Sequence, residues 1–378
     1  MPSEIGNCPL FPKALALRAL GGASTERLPV ALHTWEHNYV WKVAGVAPWQ
    51  LAFGSSETWH GAHMALLEHH QPDAIMYSGS GRDEAAPQLA HEDDERWIIR
   101  DLSSGALAAM DKRNLARVPV EEPQKGDSIG PDIRSLEDIE RHLPAPTGCG
   151  EAYLAGLRRL IKEVGERALV LPHHSPGYIC ACYALGFEQA MVMVKEAPAL
   201  FLAVCDRYAE ESALRMREVA EAGAEAVFIA DSWASVDIIS PAMFERFALP
   251  YQRAVVEAAH AAGLKVILHN SGNIIPLLEE EAALGTEGFA FEQPRKGCDL
   301  SVATVRGVFG PRRCLLGNLD SEGLLVRGNP REIAEAVAEQ VRQSGQGAPF
   351  ILCTGSPLPD DCPPEAVDVM VQAARSVT

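Results

Sequence analysis

Short apolar runs alternate along this chain with longer segments in which apolar residues recur at helical spacing. Eight of the runs have the length and composition of strands that are buried on both faces. They are Pro29–Leu32, Ala74–Tyr77, Ala168–Pro172, Ala226–Ala230, Lys265–Leu268, Gly288–Phe291, Cys314–Gly317 and Phe350–Cys353. Strands that alternate with helices are typical of parallel sheets. The pattern therefore predicts an α/β protein with a (β/α)₈ TIM barrel, and an open doubly wound sheet is the alternative.

Two stretches lie outside this alternation. Residues 1–28 are expected to form a helical N-terminal extension. Residues 78–149, between the second and third strands, are rich in charge, proline and glycine and too long for an ordinary loop. This length predicts a lid or small subdomain inserted at the barrel mouth. We expect one domain over residues 1–378 that carries these two additions.

Composition excludes several classes of protein. Apolar residues make up 47% of the chain and charged residues 22%, which is enough for a large core. The net charge of −18 disfavours binding to nucleic acid or to a membrane surface. Neither a run of 18 apolar residues nor a secretory signal pattern is found, so we expect a cytoplasmic protein. The nine cysteines are an odd number spread over the chain, which favours reduced thiols.

Polar and titratable side chains follow the predicted strands at the point where each strand ends. In a barrel these ends converge on one mouth, where the catalytic residues of barrel enzymes lie. Asp231 and His269 each close a continuous apolar run, so we expect them to form the polar floor of the mouth and to act in catalysis. We expect the other strand-end residues to contact substrate: His33, Glu36, His37, Tyr77, His173, Ser232, Glu292, Asn318 and Ser356.

A dense histidine cluster lies between the first two strands. It contains His60, His63, His69 and His70. Because the segment has the length and position of the first barrel helix, we interpret the cluster as the solvent-facing side of that helix.

Three stretches in the C-terminal two thirds form a more specific pattern. They are Ala222-Gly223-Ala224-Glu225 through Ala230-Asp231-Ser232-Trp233 to Leu249-Pro250-Tyr251, then Ile267-Leu268-His269-Asn270-Ser271-Gly272-Asn273, and last Leu316-Gly317-Asn318-Leu319-Asp320 through Phe350-Ile351-Leu352 to Pro363-Pro364-Glu365. Together with Ser135–Asp138 and Gly177–Gly186 they span roughly residues 130–375. In order, spacing and barrel context this region resembles the uroporphyrinogen decarboxylase superfamily, which also contains cobamide-dependent methyltransferases. The resemblance implies a (β/α)₈ barrel.

The resemblance to the decarboxylases is partial. Asp231-Ser232 is similar to their motif, and Tyr183 falls where their active-site tyrosine stands. Their N-terminal Arg-Gln-Ala-Gly-Arg stretch, however, is replaced by the segment from His33 to His37. A polycarboxylate tetrapyrrole needs cationic partners, and the sequence indicates none at the mouth.

The methyltransferase branch implies a zinc site that activates a thiol. Its family motif places one ligand at His269, but the two cysteine positions are occupied by Ser271 and Ser356. A serine hydroxyl stays protonated at neutral pH and is a poor zinc ligand. A rebuilt zinc site would use His269 and Cys353.

These features lead to one main functional hypothesis. We expect a methyltransferase that moves a methyl group between a small methylated substrate and a corrinoid (cobalamin), with Asp231, His269 and Tyr183 as the catalytic residues. A corrinoid protein is an expected partner, and a homodimer fits the superfamily. The alternatives are a cofactor-independent decarboxylase of a small acid and a non-catalytic binding protein on the same barrel.

Overall fold

A parallel barrel sheet forms the centre of the molecule. The computed structural model describes residues 11–35, 38–79, 87–118, 120 and 131–377. The strands in these residues are β1 (Ala31–Leu32), β2 (Ala74–Tyr77), β3 (Pro87–Glu92), β4 (Arg96–Asp101), β5 (Leu107–Asp111), β6 (Arg117–Val118), β7 (Leu169–His174), β8 (Ala226–Ala230), β9 (Lys265–Asn270), β10 (Gly288–Phe291), β11 (Cys314–Leu316) and β12 (Phe350–Ile351). Eight of them pair in parallel in the order β1-β2-β7-β8-β9-β10-β11-β12. A parallel bridge between Val30 and Leu352 joins the first strand to the last. The sheet is therefore closed, and the predicted TIM barrel is confirmed.

Helices follow the barrel strands and cover them. They are α1 (Pro12–Leu20), α2 (Val40–Ala44), α3 (Pro48–Ala52), α4 (Ser56–His70), α5 (Leu136–His142), α6 (Glu151–Val164), α7 (Gly177–Leu185), α8 (Phe187–Glu196), α9 (Pro198–Glu221), α10 (Pro241–Met243), α11 (Leu249–Ala261), α12 (Leu278–Ala282), α13 (Val302–Phe309), α14 (Leu324–Arg327), α15 (Pro330–Ser344) and α16 (Pro364–Ser376). Short 3₁₀ turns occur at Gly165–Arg167 and Ile275–Leu277, and a π-helical turn at Phe244–Ala248 leads into α11.

The strand positions agree with the sequence pattern, but two strands run further than predicted. β7 continues through His174 and β9 continues through Asn270. The parallel ladder explains this extension, because the amide of Asp231 donates to the carbonyl of His269 at 2.9 Å and so continues the pairing. His173, His174 and His269, which the sequence pattern places after a strand, therefore lie within β7 and β9.

Side chains alternate between the barrel interior and the surrounding helices. In β8, Ala226, Phe228 and Ala230 pack in the interior cluster, whereas Val227 and Ile229 pack in the outer one. α1 contributes Ala16, Ala19 and Leu20 to the interior cluster. Its Lys13 pairs with Glu225, which directly precedes β8, so α1 lies against the amino-terminal ends of the strands. The opposite, carboxyl-terminal end is the mouth.

The predicted insertion contains a small antiparallel sheet. β3, β4, β5 and β6 pair in that order, between β2 and β7 of the barrel. Met110 and Leu115 of this sheet region are buried against Ala52 at the end of α3. The insertion thus packs on the helices that follow β1 instead of extending away from the barrel.

Two further features concern the apolar helices and the cysteines. Among the described helices, none alone is long and apolar enough to cross a membrane; α7 and α8 meet the criterion only when taken together, and they are bent by 113°. The eight cysteines in the described residues are free thiols.

Candidate functional site

Three histidines form one layer inside the mouth of the barrel. His33, His173 and His269 come from the first, third and fifth barrel strands, and their rings surround Phe228 at centroid distances of 5.2, 6.1 and 5.5 Å. The rings of His33 and His269 are 5.0 Å apart. Alternate strands of a TIM barrel place side chains at the same height, which is why these three residues share a layer.

Burial keeps the three imidazoles neutral. It lowers the pKa of His33 and of His173 well below 6.5, and the neighbouring imidazoles lower both further. Burial also lowers the pKa of His269, to about 4, against the opposing effect of a hydrogen bond to Gly355. At neutral pH this layer therefore offers hydrogen-bond donors and proton acceptors without carrying charge.

Each imidazole of the layer has one buried ring nitrogen that finds no hydrogen-bond partner among the described residues. These atoms are His33 Nδ1, His173 Nε2 and His269 Nδ1. His269 Nε2 lies 3.1 Å from the carbonyl oxygen of Gly355. Because a carbonyl only accepts, Nε2 carries the hydrogen and Nδ1 presents a lone pair. Buried nitrogens without a partner are uncommon in cores, so we regard the layer as a site for a ligand.

A cavity of about 770 Å³ opens beside this layer. Its walls come from the ends of β1, β2 and β7, from α7 and α9, and from residues 144–147. The lining residues are Trp35, Ser78, Pro144, Ala145, Pro146, Thr147, Tyr153, His173, His174, Ser175, Cys180, Tyr183, Arg207, Tyr208, Glu211 and Arg215. Its volume lies within the range of small-molecule sites.

Aromatic rings and imidazoles give the cavity its shape. The ring of Trp35 meets His173 edge-on at 4.1 Å, and the half-exposed Tyr183 packs against Trp233 at 4.7 Å. His174 Nε2 donates to Ser212 Oγ at 2.8 Å, because the Ser212 hydroxyl donates its own hydrogen to the carbonyl of Tyr208, and burial lowers the pKa of this histidine to about 3. A second cavity, of about 730 Å³, extends under the antiparallel sheet and shares Ser78 and Tyr153 with the first.

Two arginines of α9 line the first cavity, which corrects the expectation that the mouth has no cation. Arg207 and Arg215 are two helical turns apart, with Glu211 between them. The spacing of four residues places all three on one face of the helix. Sequence reasoning missed them because a charged face of a long amphipathic helix is indistinguishable from a solvated one until the helix is placed.

Asp231 does not lie in the mouth, so its prediction as part of the floor is wrong. The inward residues of β8 are Phe228 and Ala230, and by alternation Asp231 points outward. It is fully buried, and its Oδ2 accepts from Gln252 Nε2 of α11 at 2.9 Å. Burial raises the pKa of Asp231 to about 7, and the bond from Gln252 opposes this rise.

A second buried carboxyl lies in the same outer layer. Glu281 of α12 accepts from Asn270 Nδ2 at 2.8 Å, and Asn270 is the outward neighbour of His269. Burial raises the pKa of Glu281 to about 8, and the charge of Asp231 raises it further. Both carboxyls accept hydrogen bonds on the helix-facing side of the barrel wall, so they do not face the barrel interior.

The remaining predicted contact residues occupy different places. Tyr77 was expected to contact substrate, but it packs in the outer layer, and its hydroxyl donates to the carbonyl of Tyr153 at 3.0 Å. Glu292 accepts from the amide of Gly272, and Asn318 donates to the carbonyls of Glu292 and Leu300. Ser232, Glu292, Asn318 and Ser356 are not among the described lining residues of the 770 Å³ cavity. Glu36 and His37 lie outside the described residues.

The residues at the mouth do not fit a zinc ion of the kind the resemblance implies. Within the described part of the chain, the group of three or more donor atoms close enough to share a metal is His69, His70 and Asp368, between α4 and α16. Among the described residues, which do not include Glu36 and His37, the predicted pair of His269 and Cys353 has no third donor at that spacing. Burial raises the pKa of the Cys353 thiol to about 12, so the thiol is protonated at neutral pH when no metal is bound.

The histidines of α4 are mostly buried, contrary to the expectation of a solvent-facing side. His60 pairs with Glu163 at 2.7 Å, and His63 bonds the carbonyl of Trp59 at 2.7 Å. His70 lies between Tyr39 and Asp368. Only His69 is exposed. Histidines this close together alternate between faces of the helix, and three of the four fall on the face that packs on other helices.

The fold and site define a (β/α)₈ barrel protein with a ligand cavity at the carboxyl ends of its strands. Comparison with known proteins gives the family. The uroporphyrinogen decarboxylase (URO-D) family model matches residues 118–377. The chain belongs to this family.

Individual relatives agree with the assignment. Uroporphyrinogen decarboxylase of Gluconobacter oxydans is 29% identical over 256 residues, which is 65% of this chain and 70% of the relative. That of Geobacter metallireducens is 25% identical over 254 residues, or 65% and 72% of the two chains. A methyltransferase from Methanosarcina mazei has a similar structure, with a TM-score of 0.69, 20% identity and coverage of 97% and 98%. The members of the family are enzymes, and that structural similarity extends the shared fold over the N-terminal third.

Proposed function

We propose that this protein is a methyltransferase that moves a methyl group between a small substrate in the mouth cavity and a corrinoid. The observation that carries the proposal is the layer of neutral imidazoles, of which His173 lines the cavity and keeps an unpartnered nitrogen. The methyltransferase from Methanosarcina mazei supports it, because the likeness includes the N-terminal strands that supply His33. The corrinoid enters as the second substrate, free or carried by a partner protein.

The imidazole layer accounts for the proton in this reaction. When a substrate hydroxyl, thiol or amine takes the methyl group, its bond to carbon forms as the carbon–cobalt bond breaks, and the electron pair of that bond stays with cobalt. The X–H proton must then leave, and the lone pair of a neutral imidazole is its acceptor. In the reverse direction the same imidazole returns the proton to the leaving atom. The chemistry needs no zinc-bound thiolate.

The aromatic walls support the same proposal. Trp35, Tyr183 and the ring of His173 line the cavity and give a substrate flat apolar surfaces beside the proton acceptor. A substrate held in a fixed position close to the proton acceptor reacts faster, because the reacting groups are already oriented.

Decarboxylation of a small acid is the second candidate. Arg215 favours it, since a guanidinium in the cavity can hold a carboxylate, and the curated relatives are uroporphyrinogen decarboxylases. In that reaction the carbon–carbon bond breaks, carbon dioxide leaves, and a proton replaces it at carbon.

One experiment separates the two. The protein is incubated with methylcobalamin and a panel of small phenols, thiols and amines, and the absorbance of the cobalt centre and the methylated product are followed. We expect transfer to at least one acceptor class, a loss of at least 10-fold with His173→Ala, and no loss with His91→Ala, an exposed histidine of the insertion. Absence of transfer across the panel, in both directions, contradicts the proposal. Release of carbon dioxide from small acids without cobalamin supports the alternative.

A further inference from the structure

Arg215 lines the mouth cavity and forms one side-chain hydrogen bond among the described residues. Its Nε donates to Glu211 Oε1 at 2.9 Å, and about a third of the side chain is exposed. Among the described residues its two terminal nitrogens, Nη1 and Nη2, have no hydrogen-bond partner. A guanidinium has five N–H groups, so four of them are without a protein partner among the described residues.

Arg207 provides an internal comparison, because it lines the same cavity but has a hydrogen-bond partner on each of its three nitrogens. Its nitrogens bond the carbonyls of Pro144 and Leu143 and both carboxylate oxygens of Glu140. Arg207 therefore fixes the segment before residue 147, and its charge is balanced by Glu140.

Glu211 balances Arg215 only in part. Its Oε2 accepts from the amides of Thr147 at 2.7 Å and Gly148 at 3.1 Å, while Oε1 accepts from Arg215. The carboxylate is thus shared between the guanidinium and two backbone donors. Arg207 and Arg215 are the cations that line the cavity and Glu211 is the anion, and Arg207 is already neutralised from outside. By this count the described lining carries no net charge, and what Arg215 offers an anion is its unused N–H groups.

The groups around Arg215 define the kind of ligand. His174 is neutral because burial lowers its pKa to about 3, so it competes for no anion and repels none. Tyr153 and Tyr208 supply apolar surfaces beside the guanidinium. A planar carboxylate matches the two parallel N–H groups of an arginine better than a spherical anion does.

We infer that the cavity binds a small aromatic monocarboxylate, whose carboxylate pairs with the terminal nitrogens of Arg215 and whose ring lies against the aromatic walls. The inference rests on the proposed function in that it takes this cavity as the substrate site. It adds the substrate class, which neither methyl transfer nor decarboxylation specifies.

The test uses calorimetric titration of the full chain with benzoate and with benzamide, which have the same size and differ in charge. No methyl donor or corrinoid is present, so the outcome is independent of the reaction. We expect wild-type protein to bind benzoate at least 10-fold more tightly than benzamide. Arg215→Gln should weaken benzoate binding about 10-fold or more and leave benzamide binding unchanged, because it removes a charge-paired contact.

Two variants control for charge and for folding. Arg217→Gln makes the same change on the exposed side of α9 and should leave benzoate binding unchanged. Arg215→Lys keeps the charge without the forked geometry and should give an intermediate loss. Equal affinity of wild-type protein for benzoate and benzamide, an equal loss with Arg217→Gln, or tighter binding of benzenesulfonate than of benzoate would overturn the inference.

Discussion

Replacing Asp231 with asparagine should make the protein more stable at alkaline pH. Asp231 Oδ1 and Gln252 Oε1 are both buried without a partner, and they belong to a residue pair that already shares one hydrogen bond. An ionised carboxylate cannot donate, so it supplies no hydrogen to the carbonyl oxygen of Gln252. A proton on Oδ1, or the amide of an asparagine, supplies the missing donor while Gln252 Nε2 keeps its acceptor.

The size of the effect follows from linkage. The pKa of Asp231 rises from 3.8 to about 7 because the ionised form is desolvated in the core. For an acid whose folded-state pKa is raised, the stabilising contribution is fully present below the unfolded pKa and is lost as pH rises to the folded pKa. Above pH 7 the loss amounts to roughly 4 kcal/mol. Asp231→Asn removes that dependence because the amide does not titrate.

Urea unfolding at pH 5 and at pH 8.5 measures the prediction. We expect Asp231→Asn to exceed wild type in free energy of unfolding by about 1–2 kcal/mol at pH 5, where part of the loss has already occurred, and by about 4 kcal/mol at pH 8.5. Asp94→Asn, at an exposed aspartate, controls for the change in net charge and should behave as wild type at both values. The reasoning is refuted if Asp231→Asn is destabilised at pH 8.5 or if its effect is the same at both pH values.

Three further predictions concern the strand ends. Gly355→Ala should lower stability by about 2 kcal/mol or more, measured by urea unfolding, because a Cβ at this position meets the backbone of Gln293, whereas Gly307→Ala, in open space, should not. Dialysis against EDTA should leave methyl transfer unchanged, and metal analysis of the purified protein should find no stoichiometric zinc. Stoichiometric zinc that is lost with His269→Ala would contradict the conclusion that the described residues of the mouth do not form a zinc site. Asp73→Ala should cost about 3–5 kcal/mol in thermal or chemical unfolding, because it leaves Arg27 and the amide of Val30 without their shared partner, and an unchanged midpoint would contradict this.

The barrel could be predicted because its signal is periodic and local. Eight buried runs of continuous apolar residues, separated by helical patterns, leave few architectures that cover both faces of a parallel sheet. The apolar runs did not predict the last residues of β7 and β9. A histidine interrupts an apolar run in sequence, yet in the barrel interior a neutral imidazole can occupy the next inward position and the ladder continues through it.

The sequence predicted which residues lie at the ends of the barrel strands, but it did not predict which of their side chains face the barrel interior. His33, His173 and His269 were all identified as strand-end residues, and all three face inward. Asp231 has the same sequence signature but faces outward, because the inward or outward direction depends on the register of each strand, and one residue of difference reverses it. Arg215 lies on a helix far along the chain, so only the packing of α9 over the mouth brings it to the cavity.

This division between the two faces of the barrel wall determines where chemistry can occur. Two carboxyls whose pKa values burial raises to about 7 and about 8, Asp231 and Glu281, are sealed between strands and helices, where their titration alters stability. The groups that face the cavity, His173 and Arg215, have pKa values far from neutrality and keep one charge state over the physiological range. Activity should therefore vary little between pH 6 and pH 8 while stability falls, so a rate that follows a titration near pH 7 would place a carboxyl in the reaction and overturn the assignment of the proton to the imidazole layer.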